Sequence, residues 1–194
     1  MWGVLDNIKG EKFMSDECRL VVGLDLSLTA TGIVALAPSN AVYLDIIKAR
    51  PECGQGIRRA SVIAAAVLTW IETHAGAVVA IEGYSFGSPM RMAPLGELGG
   101  MVRRDLLERD ITWLEVPPTC LKKFATGKGN SPKDVVMREV FKRWGFEHND
   151  NNVVDAYVLA RMGWLWLAPQ GGPQGTWKTT TAQKAAMKAV REGT

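Results

Sequence analysis

Three carboxylates stand where their neighbours argue against an ordinary surface role. Asp25 interrupts the apolar run Leu20-Val21-Val22-Gly23-Leu24-Asp25-Leu26, Glu82 closes the run Ala77-Val78-Val79-Ala80-Ile81, and Asp155 lies in Asn152-Val153-Val154-Asp155-Ala156 at the start of an apolar helical stretch. An acid in such surroundings is costly unless something neutralises it. Hard divalent cations such as magnesium do so, because they prefer oxygen ligands. Three acids brought together repel one another strongly without a cation. With two ions roughly 4 Å apart they suit phosphodiester hydrolysis, one ion activating water and the other steadying the leaving 3′ oxygen.

Cations follow the acids. The stretch Leu121-Lys122-Lys123-Phe124-Ala125-Thr126-Gly127-Lys128-Gly129-Asn130, then Lys133, reads as a short helical turn leading into a flexible basic loop. Gly127 and Gly129 let the backbone around Lys128 approach a phosphate closely. Tyr84 and Phe86 lie in the Gly/Ser/Pro-rich stretch after Glu82, where an aromatic serves either as core or as a stacking platform for an unpaired base. Arg103 and Arg104 read as surface residues, and Trp164-Leu165-Trp166-Leu167 as core or dimer contact.

The elements that must position these groups are legible from periodicity. Residues 19–26, 31–37 and 41–48 read as three consecutive strands, with Thr31-Gly32 opening the second and Pro38-Ser39-Asn40 turning into the third. Ile57, Ala60, Ile63, Ala64, Val67, Leu68 and Ile71 recur at helical spacing and predict a helix packed on a sheet. Residues 77–81 predict a central buried strand. A loop over 83–94, a helix over 95–109 and a strand over 111–116 follow. Ser131-Pro132 marks a capped helix with Pro in its first position, running to about Trp144. A last helix spans 149–167. This order predicts an α/β layer structure with a mixed sheet. Residues 1–17 read as an N-terminal extension, 18–167 as the folded domain, and 168–194 as a Gly/Pro linker with a basic C-terminal segment, either a small helix or a disordered tail.

Composition narrows the function classes. The 194 residues, 47% hydrophobic and 22% charged, suit one globular domain. No apolar run reaches the length of a membrane span and no signal peptide opens the chain, so a cytoplasmic protein is expected. Cys18, Cys53 and Cys120 form neither a zinc pattern nor a disulfide framework, and two histidines, His74 and His148, are too few for a multi-histidine zinc site. Net charge is only +3 but uneven, with ten Lys/Arg against six Asp/Glu between residues 103 and 143 and four against one from residue 168 on. That asymmetry suits a polyanion on one surface and metal-binding carboxylates elsewhere.

Asp25 on a first strand, the following Thr31-Gly32, Ile81-Glu82 on the fourth strand, Asp155-Ala156 on a late helix and the Lys122–Lys133 segment together resemble the RuvC family of Holliday junction resolvases, especially its phage-borne members. The resemblance covers about residues 19–167. It implies an RNase H-like fold, with a mixed five-stranded sheet flanked by helices, and a homodimer that nicks four-way DNA junctions symmetrically with magnesium or manganese. The same resemblance implies Asp25, Glu82 and Asp155 as catalytic metal ligands and Lys122 and Lys133 as catalytic lysines. Lys122, Lys123, Lys128, Lys133, Tyr84 and Phe86 are its implied DNA contacts, an aromatic after Glu82 serving as a wedge. Flaps and forks join four-way junctions as branched substrates, and a phage-encoded chain acts in the host cytoplasm.

One position departs from the family pattern. The family's fourth acid, three residues before the last, is here Asn152, which retains a carbonyl oxygen for a metal but lacks the charge. Asp150 is near but not on the same helix face as Asp155. Alternatives are an RNase H-like RNA-processing nuclease of the YqgF type and a junction-binding protein that does not cut. An actin–Hsp70-type ATPase shares the first hairpin, but this chain lacks its second phosphate loop and its length.

Overall fold

The computed structural model describes residues 20–74, 76–84, 89–172 and 177–193. The expected extension 1–17, Cys18 and Phe86 lie outside them. Strands β1 (Leu20–Asp25), β2 (Thr31–Leu36) and β3 (Val42–Ile47) form an antiparallel meander. Helix α1 (Ile57–Thr73) crosses over to β4 (Gly76–Glu82), and α2 (Pro89–Glu108) crosses to β5 (Thr112–Val116), both strands parallel to their neighbours. The five-stranded sheet has the order β3-β2-β1-β4-β5. Helices α3 (Pro118–Thr126), α4 (Lys133–Trp144), α5 (Asn151–Leu167) and α6 (Thr181–Glu192) complete the chain. This is the mixed sheet flanked by helices that the sequence predicts. Among the described residues, no helix is long and apolar enough to cross a membrane.

Strand alternation divides the core in two. Val22, Leu24, Ile33, Ala35, Val79 and Ile81 face α1 and α2, whereas Val21, Val34, Leu36, Ala80, Leu114 and Val116 face α3–α6. Helix α5 is apolar nearly all round and lies on the second face, with twelve of its residues buried. It sits unusually close. A methyl group on Gly23 would run into the Ala156 carbonyl and stand 2.5 Å from Ala160 N, and one on Gly32 would run into the Asn152 carbonyl and stand 2.7 Å from Val153 N. Only bare glycine at these two positions lets the helix backbone touch the sheet.

Several boundaries differ from the sequence reading. Helix α2 begins at Pro89, so the expected loop over 83–94 is shorter, and Pro94 lies inside the helix. The turn around Leu121 is a nine-residue helix. Ser131 is not a helix cap: Pro132 holds that position, and Ser131 Oγ instead bonds Thr126 Oγ1 at 2.7 Å and donates to the Lys128 carbonyl. Thr126 Oγ1 also donates to the Lys122 carbonyl at 2.8 Å, so the basic loop is tied at both ends. Ile57 is exposed although it belongs to the α1 stripe.

The basic C-terminal segment is a helix with an amphipathic face, α6. A Thr180–Gln183 capping box starts it, and Ala186, Met187 and Val190 join the core beside α3. Its charges hide this face in a composition count, but Ala186, Met187 and Val190 follow helical spacing. Trp164 is core: its indole N–H donates to the Leu36 carbonyl at 2.8 Å.

Candidate active site

Register places the two strand acids. Parallel pairing of Leu24 with Ile81 brings the next residues, Asp25 and Glu82, to the same edge of the sheet. Asp25 shares the face of Val21 and Gly23, and Glu82 the face of Ala80, so both point toward α5. The glycine contacts seat the first turns of α5 over that edge, which brings in Asp155. Strand ends of mixed sheets, capped by a helix, are where such folds gather their chemistry.

Asp25 is only 7% exposed. Burial is the largest influence on its carboxyl, followed by Glu82 and Asp155, and together they push it well above the ordinary carboxylate range. Glu82 is also raised by burial, partly offset by its hydrogen bond to Asp25 and by Lys122 and Lys133. Burial thus disfavours the charged forms of both Asp25 and Glu82, and repulsion adds to it at Asp25. Asp155 is pushed up to about 7, by burial first and then by Glu82, against the opposing pull of Lys133 and Lys122. Five of the sequence candidates therefore form one electrostatic unit: Asp25, Glu82, Asp155, Lys122 and Lys133.

The donor set suits a divalent cation. Its oxygens are hard, buried and mutually repulsive, and a cation would relieve that repulsion. Among the described residues, no three acidic, histidine or cysteine side chains are close enough to enclose an ion as they stand. The residues fit the ion in chemistry, as a set of carboxylate oxygens gathered at one sheet edge.

The other candidates fall elsewhere. Lys123 and Lys128 enter none of the interactions of the acids. With its side-chain amide turned over, Asn151 accepts from Lys133 Nζ at 2.8 Å, a pairing that ties the lysine to the start of α5. Asp150 caps α5, accepting from the Asn152 N–H at 2.9 Å. Asn152 plays a structural part. Its Nδ2 donates to the Ala30 carbonyl at 2.6 Å and ties α5 to the β1–β2 turn. An acid there would set a carboxylate oxygen against that carbonyl. Asn152→Asp is therefore expected to lower the melting temperature by several degrees, corresponding to about 1–3 kcal/mol for the lost bond and the repulsion, and thermal unfolding in EDTA measures it.

Tyr84 is 43% exposed, so it is not core. The Arg103 guanidinium lies 4.5 Å from its ring centroid, forks onto Glu115 at 2.5 and 2.8 Å, and reaches the Glu82 carbonyl at 3.5 Å. Arg103 is thus a half-buried brace behind Glu82 rather than a surface cation. Its signal in the sequence is Glu115, a charge inside the strand Thr112–Val116 that needs a partner.

No protein-family profile matches the chain. A curated crossover junction endodeoxyribonuclease RuvC from Prochlorococcus marinus is 24% identical over 151 residues, covering 75% of this chain and 97% of the relative. Among solved structures, Thermus thermophilus RuvC matches with a TM-score of 0.63 and 22% identity, covering 83% of this chain and 99% of that one. RuvC of the same organism in complex with a Holliday junction substrate matches with a TM-score of 0.62 and 20% identity, covering 79% and 96%.

Proposed function

We propose that this chain, RuvC-like in sequence and fold, is a divalent-metal-dependent endonuclease that resolves four-way DNA junctions by paired, symmetric nicks. The observation that carries the reading is the mutual coupling of Asp25, Glu82 and Asp155, acids from β1, β4 and α5, beside Lys122 and Lys133. Agreement along nearly the full length of the curated resolvase supports it. Symmetric nicking calls for a homodimer acting in the cytoplasm, and flaps and forks are further branched substrates of the same kind.

Asp25, Glu82 and Asp155 would hold magnesium, or manganese in its place, and Asn152 contributes at most its carbonyl oxygen. Held there, such an ion would supply Lewis-acid activation of water and charge stabilisation at the leaving 3′ oxygen. The chain supplies the rest. Burial of the acids keeps the site at low dielectric, which strengthens each charge interaction at the phosphate. Lys122 and Lys133 counter negative charge that builds on the phosphate oxygens during in-line attack. Lys123 and Lys128 hold flanking phosphates, and Tyr84, braced by Arg103, stacks on a base at the branch point. Phe86 is a second aromatic for that stacking role.

The test is incubation of labelled four-way junction, linear duplex and structured RNA with the protein in magnesium and in manganese. Paired nicks confined to branched DNA are expected. Equal cleavage of structured RNA, or junction binding without nicks where a control resolvase cuts, overturns the reading. Lys122→Ala and Lys133→Ala should each slow nicking by about a hundredfold, the scale of one lost transition-state donor, without lowering the melting temperature. An unchanged single-turnover rate removes that lysine from the site.

A further inference from the structure

The far half of α5, the end of α4 and the segment entering α6 enclose a cleft of about 230 Å³. Arg143, Arg161 and Lys178 line it with Thr179, Trp144 and Trp177, and no acid is among its lining residues. Arg161 is the unusual member. It is 7% exposed, and burial pulls its pKa down. Its guanidinium carbon lies 3.7 Å from the Trp177 ring centroid and 4.8 Å from that of Trp144, and Nη1 donates to the Tyr157 hydroxyl at 2.8 Å. Among the described residues, the influences on it are burial and the Tyr157 hydroxyl, with no carboxylate among them.

Aromatic faces recover part of the cost of burying a cation, but they do not replace a counter-charge. Among the described residues, no buried side-chain nitrogen lacks a hydrogen-bond partner. Among the described residues Arg161 makes one hydrogen bond, through Nη1, and its side chain lines the cleft. Lys178 stands exposed at the rim, and Arg143 only reaches Glu139 at 4.0 Å. A guanidinium with one hydrogen bond and no carboxylate partner, lining a cleft with two further cations and a hydroxyl, is the chemistry that takes a phosphate oxyanion. The cleft is built by the α6 segment and is separate from the acids, with Arg161 six residues beyond Asp155 on α5, about 9 Å along its axis.

We propose that this cleft is a second, metal-independent site that binds a phosphate group, either of a free nucleotide or of a nucleic-acid strand.

The experiment follows the Trp144 and Trp177 indole N–H signals of the full chain by NMR, in EDTA, during titration with inorganic phosphate, dTMP and a short single-stranded oligonucleotide. EDTA removes any metal, so the outcome is independent of the nuclease reading. Both indole signals are expected to shift saturably. Arg161→Gln should weaken binding about tenfold or more, the loss of a charged donor pair. Lys178→Gln, an exposed position that leaves packing intact, should weaken it about threefold. Lys188→Gln, on the exposed face of α6, is the control. Shifts with phosphate and dTMP identify a nucleotide site, and shifts with the oligonucleotide alone identify a strand phosphate. Absence of shifts with all three, or equal affinity in Lys178→Gln and Lys188→Gln, overturns the proposal.

Discussion

Asp25→Asn is expected to abolish junction cleavage while junction affinity stays within about twofold, a rate loss of about a thousandfold or more and near 4 kcal/mol of barrier. Asp25 is the deepest of the three acids, and both Glu82 and Asp155 act on it. An amide there keeps the shape but removes the charge that would hold a cation. The same substitution should make the protein more stable. Folding raises the pKa of Asp25, Glu82 and Asp155, so the native state binds more protons than the unfolded chain. Stability is then fully present below the unfolded carboxylate values and is lost as pH rises through the folded ones, for Asp155 between the ordinary 3.8 and about 7. In EDTA the wild type should melt progressively lower from pH 5 to 8. Asp25→Asn should melt higher than wild type at pH 8, and magnesium should raise the wild type more than the variant. A variant that cuts, or that melts below wild type in EDTA at pH 8, contradicts the assignment of Asp25.

Gly23→Ala carries the second large effect. The added methyl would overlap the Ala156 carbonyl and crowd Ala160 N, both backbone atoms of α5 that no side-chain rotation can clear. The helix must lift, at a cost of about 3 kcal/mol or more, the upper end for overpacking a core. That lift moves Asp155 away from Asp25 and Glu82, so cleavage should fall along with stability. Gly100→Ala is the contrasting substitution. It lies at an exposed position of α2 with nothing within 4 Å of the added carbon, and it should stabilise by up to about 1 kcal/mol through helix propensity alone. Chemical denaturation of the two variants side by side measures both signs. A Gly23→Ala protein as stable as wild type would mean that α5 does not rest on the sheet at that point.

The strands were readable because each is a short apolar run closed by turn residues, and β1–β5 fall within a residue or two of the expected bounds. The boundaries that slipped have separate local causes. Pro89 and Pro94 read as loop because proline opposes helix in isolation, yet Pro89 opens α2, where no intrahelical donor is needed, and Pro94 is carried within it. Ser131 carries the signature of a helix cap, but its hydroxyl is taken by Thr126 and Lys128. The C-terminal cations leave a small helix and a disordered tail both open; the segment is a helix, and Ala186, Met187 and Val190 are buried on the core.

By itself the sequence determined the element order, the mixed sheet, and which acids and lysines to watch, because alternation, helical spacing and a charge inside an apolar run are local properties. Only the tertiary structure decided what those residues meet. Parallel register levels Asp25 with Glu82, two bare glycines let α5 bring Asp155 over the same edge, and Asn152 is spent on the Ala30 carbonyl. Arg103 and Arg161 acquire their surroundings from Glu115 and Trp177, each at least twelve positions away in the chain. Such pairings depend on how strands and helices stack, which no local pattern encodes.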